Sequence, residues 1–127
     1  MTTPGLQGGL NERIRRELPH LTEEDTCALA RLIERMAEAY QPECIYLFGS
    51  KARGDDGPDS DFDLMVVVPD DAPEDRKRSR LAYERLWETG TAADVLVWTR
   101  QRFESRRHLR ASLPGTIVRE GRLLYAV

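Results

Sequence analysis

Apolar positions along the chain recur in two rhythms, one helical and one strand-like. Leu10, Ile14 and Leu18 form one helical stripe, with Asn11 as a capping residue and Pro19 as the stop. Thr22-Glu23-Glu24-Asp25 has the pattern of a capping box, in which Asp25 reaches back to the Thr22 N–H. Leu29, Leu32, Ile33, Met36 and Tyr40 follow at helical spacing, and that helix should end before Pro42. Cys44–Phe48 is a continuous apolar run that fits a strand covered on both faces. Gly49-Ser50 breaks it. A polar stretch rich in Gly, Pro and Asp follows, with one helical turn expected after Ser50. Asp61–Val68 reads as a second strand, stopped by Pro69. Asp71 or Pro73 opens a helix reaching about Thr89, with Ala82, Tyr83, Leu86 and Trp87 turned inward and Gly90 as its closing residue. Ala93–Trp98 is a third strand, and Thr99 caps a helix through about Leu109. Pro114–Glu120 is a short last helix, and Leu123–Tyr125 a short last strand.

This order predicts an α/β (α+β) protein: one domain with a small mixed β-sheet flanked by helices. Residues 1–9, with Pro4, Gly5, Gly8 and Gly9, read as a flexible tail, and residues 10–127 as the domain. A chain of 127 residues is large enough to bury a core without disulfides or a structural metal. Cys27 and Cys44 are accordingly expected to be reduced, buried thiols. No apolar run is long enough for a membrane span, and no apolar leader opens the chain, so a cytoplasmic protein is expected.

Charge sharpens the picture. The net charge is only −3, but residues 54–75 hold nine acids and no base. Arg76, Lys77, Arg78 and Arg80 follow directly, and residues 99–110 carry five arginines against Glu104 alone. A chain that is acidic overall is not a general DNA binder. The acidic block suggests a cation site, with bases nearby for a polyanion.

The chemistry concentrates in Leu47-Phe48-Gly49-Ser50-Lys51-Ala52-Arg53-Gly54 and Ser60-Asp61-Phe62-Asp63-Leu64. On a strand, i and i+2 share a face, so Asp61 and Asp63 point one way while Phe62 and Leu64 point into the core. Two carboxylates this close repel unless a cation sits between them. Magnesium is held by one or two carboxylates together with substrate phosphates. If the third strand lies beside the second, Asp94 completes a three-carboxylate cluster, a donor set that can hold two metals for phosphoryl transfer. Gly49 at a strand end lets the backbone approach a ligand, and Ser50 at a helical turn offers a hydroxyl and N–H groups to a phosphate. Lys51 and Arg53 add positive charge. Together these describe a nucleoside triphosphate site.

The chain resembles the minimal nucleotidyltransferases of the DNA polymerase beta superfamily. Their signature is Gly-Ser, a spacer of about ten residues, then Asp-x-Asp; here Gly49-Ser50, residues 51–60 and Asp61-Phe62-Asp63 match it. The fuller pattern, Gly-Ser-x-Ala-Arg-Gly through Ser-Asp-x-Asp-Leu, matches at every named position, and the likeness extends over residues 25–127. The resemblance implies Asp61, Asp63 and Asp94 as catalytic, metal-binding carboxylates. It implies Gly49 and Ser50, with Lys51, Arg53 and Ser60, as the nucleotide-binding set. It further implies two Mg2+ ions, ATP as substrate, and an antitoxin role in which AMP passes to a hydroxyl on a small helical HEPN-type toxin. There is no room here for the acceptor-binding domains of larger relatives, so a partner protein is the natural acceptor.

Three other classes compete. A non-catalytic antitoxin, neutralising its partner by binding alone, needs no carboxylate cluster, yet all three carboxylates are present. A haloacid dehalogenase-like phosphatase using Asp61 as nucleophile wants Thr where Met65 stands. A glycosyltransferase with a metal-binding Asp-x-Asp needs a much larger nucleotide domain.

Overall fold

The computed structural model describes residues 6–55, 57 and 60–127. Among the described residues six helices, α1 (Leu6–Glu17), α2 (Glu23–Tyr40), α3 (Ser50–Arg53), α4 (Arg80–Thr89), α5 (Arg100–Arg107) and α6 (Leu113–Glu120), accompany four strands. The strands β1 (Cys44–Phe48), β2 (Phe62–Val68), β3 (Ala93–Thr99) and β4 (Arg122–Ala126) form one mixed sheet in the order β3-β2-β1-β4. β1 pairs antiparallel with both β2 and β4, and β2 pairs parallel with β3. The α/β class and the flanked mixed sheet expected from the sequence are therefore present. No described helix is long and apolar enough to cross a membrane.

Strand alternation divides the core in two. Phe62, Leu64, Val66 and Val68 of β2 face one way, with Val95 and Val97 of β3, and pack beneath α1, α2 and α4. Met65 and Val67 face the other way and pack with Phe103 of α5 and Ile117 of α6. On α2 the stripe Leu29, Leu32, Ile33, Met36 and Tyr40 is buried as its spacing predicts. Thr22 caps that helix by accepting the Asp25 N–H at 3.0 Å. Cys27 and Cys44 are free thiols and only partly buried; burial still pushes Cys44 up to about 11.

Four expectations need correction. The first helix begins at Leu6, so Leu6 to Gly9 are helical, while residues 1–5 lie outside the described residues. Asn11 is inside the helix instead of capping it, and its Oδ1 is buried without a hydrogen-bond partner among the described residues. The helix expected from Asp71 or Pro73 to Thr89 is two pieces, a 3₁₀ turn at Glu74–Lys77 and then α4. The break has a cause: the Tyr40 hydroxyl donates to the Arg78 carbonyl at 2.5 Å and accepts the Ala82 N–H at 2.8 Å. Arg78 is extended there, at φ −120 and ψ 149. Tyr83 and Trp87 do not turn inward either; they are 48% and 90% exposed, while Ala82 and Leu86 supply the buried stripe of α4.

Candidate active site

The site lies at the first turns of β2 and β3, where the face that packs on α5 and α6 runs out beyond its cover. Asp63 sits opposite Phe48 of β1 and beside Asp94 of β3 in register. In-register neighbours on parallel strands present their side chains to the same face, about 4.8 Å apart. Asp61, one residue before β2, shares that face by alternation. The carboxylates act on one another electrically. Burial raises the Asp63 carboxyl above its ordinary range, and Asp94 and then Asp61 raise it further, while Arg53 opposes them.

Gly49 makes the next contact. Its φ is 79, in the left-handed region, and a Cβ there would fall 2.3 Å from the Asp63 Oδ2. Only glycine lets the end of β1 lie against that carboxylate. The Gly49 carbonyl accepts from the Ala52 and Arg53 amides, each at 3.1 Å, which starts α3 at Ser50. A first helical turn leaves its leading N–H groups without intrahelical acceptors, and such groups suit a phosphate. Gly54, at φ 84, closes the turn with its N–H on the Ser50 carbonyl at 2.9 Å.

The remaining sequence candidates are placed differently. Lys51 is buried beneath α3, with its Nζ 3.2 Å from Asp25 Oδ2 and 5.0 Å from the centre of the Phe62 ring. It ties α3 to α2, leaving only 7% of its side chain exposed to offer a ligand. Asp25, read from sequence as the returning half of a capping box, is thus directed to Lys51. His20 completes the same tie by donating from Nε2 to the Lys51 carbonyl at 2.7 Å, a role with no signal in the sequence. Arg53 remains half-exposed, bonded to Asp55 at 3.1 Å and within 3.9 Å of Glu120. Ser60 Oγ accepts the Gly57 N–H at 2.9 Å and steadies the loop entering Asp61.

Asp61, Asp63 and Asp94 are oxygen donors of the kind a hard divalent cation takes, and the Asp63 carboxyl is raised first by burial and then by its anionic neighbours. Among the described residues there is no group of three Asp, Glu, His or Cys side chains placed to hold a metal ion. Magnesium does not require one, since it is normally completed by substrate phosphates and water.

A nucleotidyltransferase domain family matches residues 29–124, a span containing Gly49, Ser50 and all three aspartates. No curated protein matches the chain significantly. Two solved structures share the fold. One is a toxin–antitoxin crystal structure with AMP-PNP, 24% identical, covering 76% of this chain and 73% of that one at TM-score 0.52. The other is a Sulfolobus solfataricus protein assigned as a nucleotidyltransferase, 18% identical, covering 92% of this chain and 86% of that one at TM-score 0.54.

Proposed function

The chain belongs to the nucleotidyltransferase domain family, and on that footing we propose that it transfers AMP from ATP, with magnesium, to a hydroxyl on a partner protein. The carrying observation is the in-register pair Asp63 and Asp94 with the Gly49 backbone pressed against Asp63. In this reading Gly49 and the Ser50 turn receive the terminal phosphates, with Arg53 adding positive charge from the rim. Asp61, Asp63 and Asp94 would hold the metal, which supplies charge neutralisation of the triphosphate and a fixed geometry for in-line displacement. Asp94, on the exposed edge strand, accepts a hydrogen bond from the acceptor hydroxyl and draws its proton as the oxygen attacks the α-phosphorus. The bond to the β-phosphate oxygen breaks, and pyrophosphate leaves. Lys51 holds α3 in place through Asp25 and does not contact the nucleotide.

The acceptor is proposed to be a small helical HEPN-type toxin, making this chain an antitoxin of the cytoplasm. Two things support it: the motif resemblance, and a fold shared with a protein of a toxin–antitoxin structure that holds a nucleotide analogue. The test is the intact mass of the partner after incubation with this protein, ATP and magnesium. One adenylyl group should be added by the wild type and none by Asp63→Ala, although the variant still binds the partner. An unmodified partner, neutralised fully by Asp63→Ala, would instead establish a binding module.

A further inference from the structure

Beside the carboxylates lies a cavity of 590 Å3. Its walls are Tyr83, Leu86 and Trp87 of α4, its floor is the small-residue run from Gly90 to Ala93, and Asp61 stands at its edge. The volume falls inside the range of about 300–1,000 Å3 usual for small-molecule sites, which likewise combine apolar walls with a few polar groups. Trp87 is 90% exposed, so its indole is held in water without serving the core. Tyr83 is 48% exposed, and its hydroxyl accepts the Val95 N–H at 3.5 Å, which ties this wall to β3. At Gly90 an added Cβ would meet nothing within 4 Å, so the floor is open.

We propose that this cavity is the nucleobase subsite, in which Trp87 stacks on the base of the bound nucleoside triphosphate. The inference rests on the nucleotidyltransferase reading above. Sheet order carries it. The Gly49-Ser50 cradle ends β1, the carboxylates begin β2, and the cavity borders the start of β3. The distance from β1 to β3 is two strand spacings, about 10 Å. A nucleotide with its terminal phosphates at Ser50 and its α-phosphate at Asp61 and Asp63 reaches Trp87 by passing its nucleoside round the starts of β2 and β3. α4 packs on the face opposite Asp63 and Asp94, and Asp61, which precedes β2, lines the cavity, so metal site and slot meet round the starts of β2 and β3. The cavity opens at the strand ends, which leaves the face in front of Asp94 and Leu96 to the acceptor. Stacking tolerates any base because every base offers a π-face.

The test compares ATP with inorganic tripolyphosphate, both with magnesium, by calorimetry on the full chain. Wild type should bind ATP about tenfold or more tighter than tripolyphosphate, the scale of one stacked base. Trp87→Ala should lose that advantage while its tripolyphosphate affinity stays the same, and Trp87→Phe should keep most of it. Quenching of indole fluorescence by ATP should vanish in Trp87→Ala. GTP should bind within a few-fold of ATP. If Trp87→Ala binds ATP as wild type does but transfers poorly to the partner, the slot is an acceptor-docking surface and the subsite assignment fails. If ATP and tripolyphosphate weaken equally in Trp87→Ala, stacking is also refuted. If wild type binds neither ligand with magnesium, the nucleotide reading itself falls together with the subsite.

Discussion

One face of β2 has two halves that could hardly differ more. Toward the end of the strand, Met65 and Val67 are sealed by Phe103 and Ile117. At its start Asp61 is exposed and Asp63, on the same face, is half-buried. The backbone, the pairing and the neighbours in register are continuous from one half to the other. What changes is cover. α5 and α6 reach only the far half, so the near half can keep like charges together, because water or a ligand can screen them. Carboxylates placed beneath α5 would face a desolvation cost of several kcal/mol each. The fold thus uses one end of a face for stability and the other for chemistry.

The separation can be broken from either side, and the two losses should not resemble each other. Asp63→Asn should lower AMP transfer by about a thousandfold or more, the scale of losing several kcal/mol of charge stabilisation. Its melting temperature without metal should not fall. Pyrophosphate release and thermal melting, measured on the same preparation, check both halves of that statement. Phe103→Ala should do the reverse. It removes a ring that is 1% exposed and stacked on Tyr46 at 5.4 Å, at a cost of about 3–5 kcal/mol. Below its lowered melting temperature its transfer rate should stay within a few-fold of wild type. Equal losses of activity in the two variants would show that the halves are not separable.

Gly49→Ala tests the seam. The added Cβ meets Asp63 Oδ2, and φ of 79 strains any L side chain. Stability should drop by about 1–2 kcal/mol. Transfer should drop by about a hundredfold, because the displaced carboxylate no longer aligns the reacting groups. Urea unfolding and transfer kinetics measure the two separately. A variant with wild-type kinetics would mean that the close approach of Gly49 to Asp63 has no part in the site.

The sequence makes the seam legible and conceals its surroundings. Gly49-Ser50 and Asp61-x-Asp63 are local patterns, and alternation alone assigns the aspartates a face. Asp94 needed one non-local fact, the parallel pairing of β2 with β3, which periodicity raises only as a condition. The packing of Lys51 is not legible, because it depends on tertiary structure: nothing in the spacing says that α2 brings Asp25 within 3.2 Å. Trp87 was misjudged for a related reason. Ala82 and Leu86 form one i, i+4 stripe of α4, and Tyr83 and Trp87 form the next. Both are apolar, so helical periodicity cannot say which meets the sheet. α4 lies at the β3 edge, where only one stripe finds a partner, and the stripe left over carries the residues that line the slot.

The smallest expected effect is a dependence of metal-free stability on pH, and it has a definite sign. The Asp63 carboxyl is raised by burial, Asp94 and Asp61 above its ordinary value of 3.8. The folded state therefore holds this proton more tightly than the unfolded chain does. Where the native state binds more protons, stability falls as pH rises. The contribution of Asp63 is thus fully favourable below 3.8 and is lost as pH climbs from there through the raised value. Melting temperatures of wild type and Asp63→Asn, both in chelator, should converge at the acid end and separate by a few degrees above it, with the variant higher. Magnesium should reverse the ranking, since the ion binds the ionised carboxylates and stabilises the folded wild type by mass action. The double variant Asp61→Asn, Asp63→Asn should show no magnesium response. If wild type and double variant gained equally from magnesium, the ion would be binding elsewhere, and the open half of the face would hold charge without holding metal.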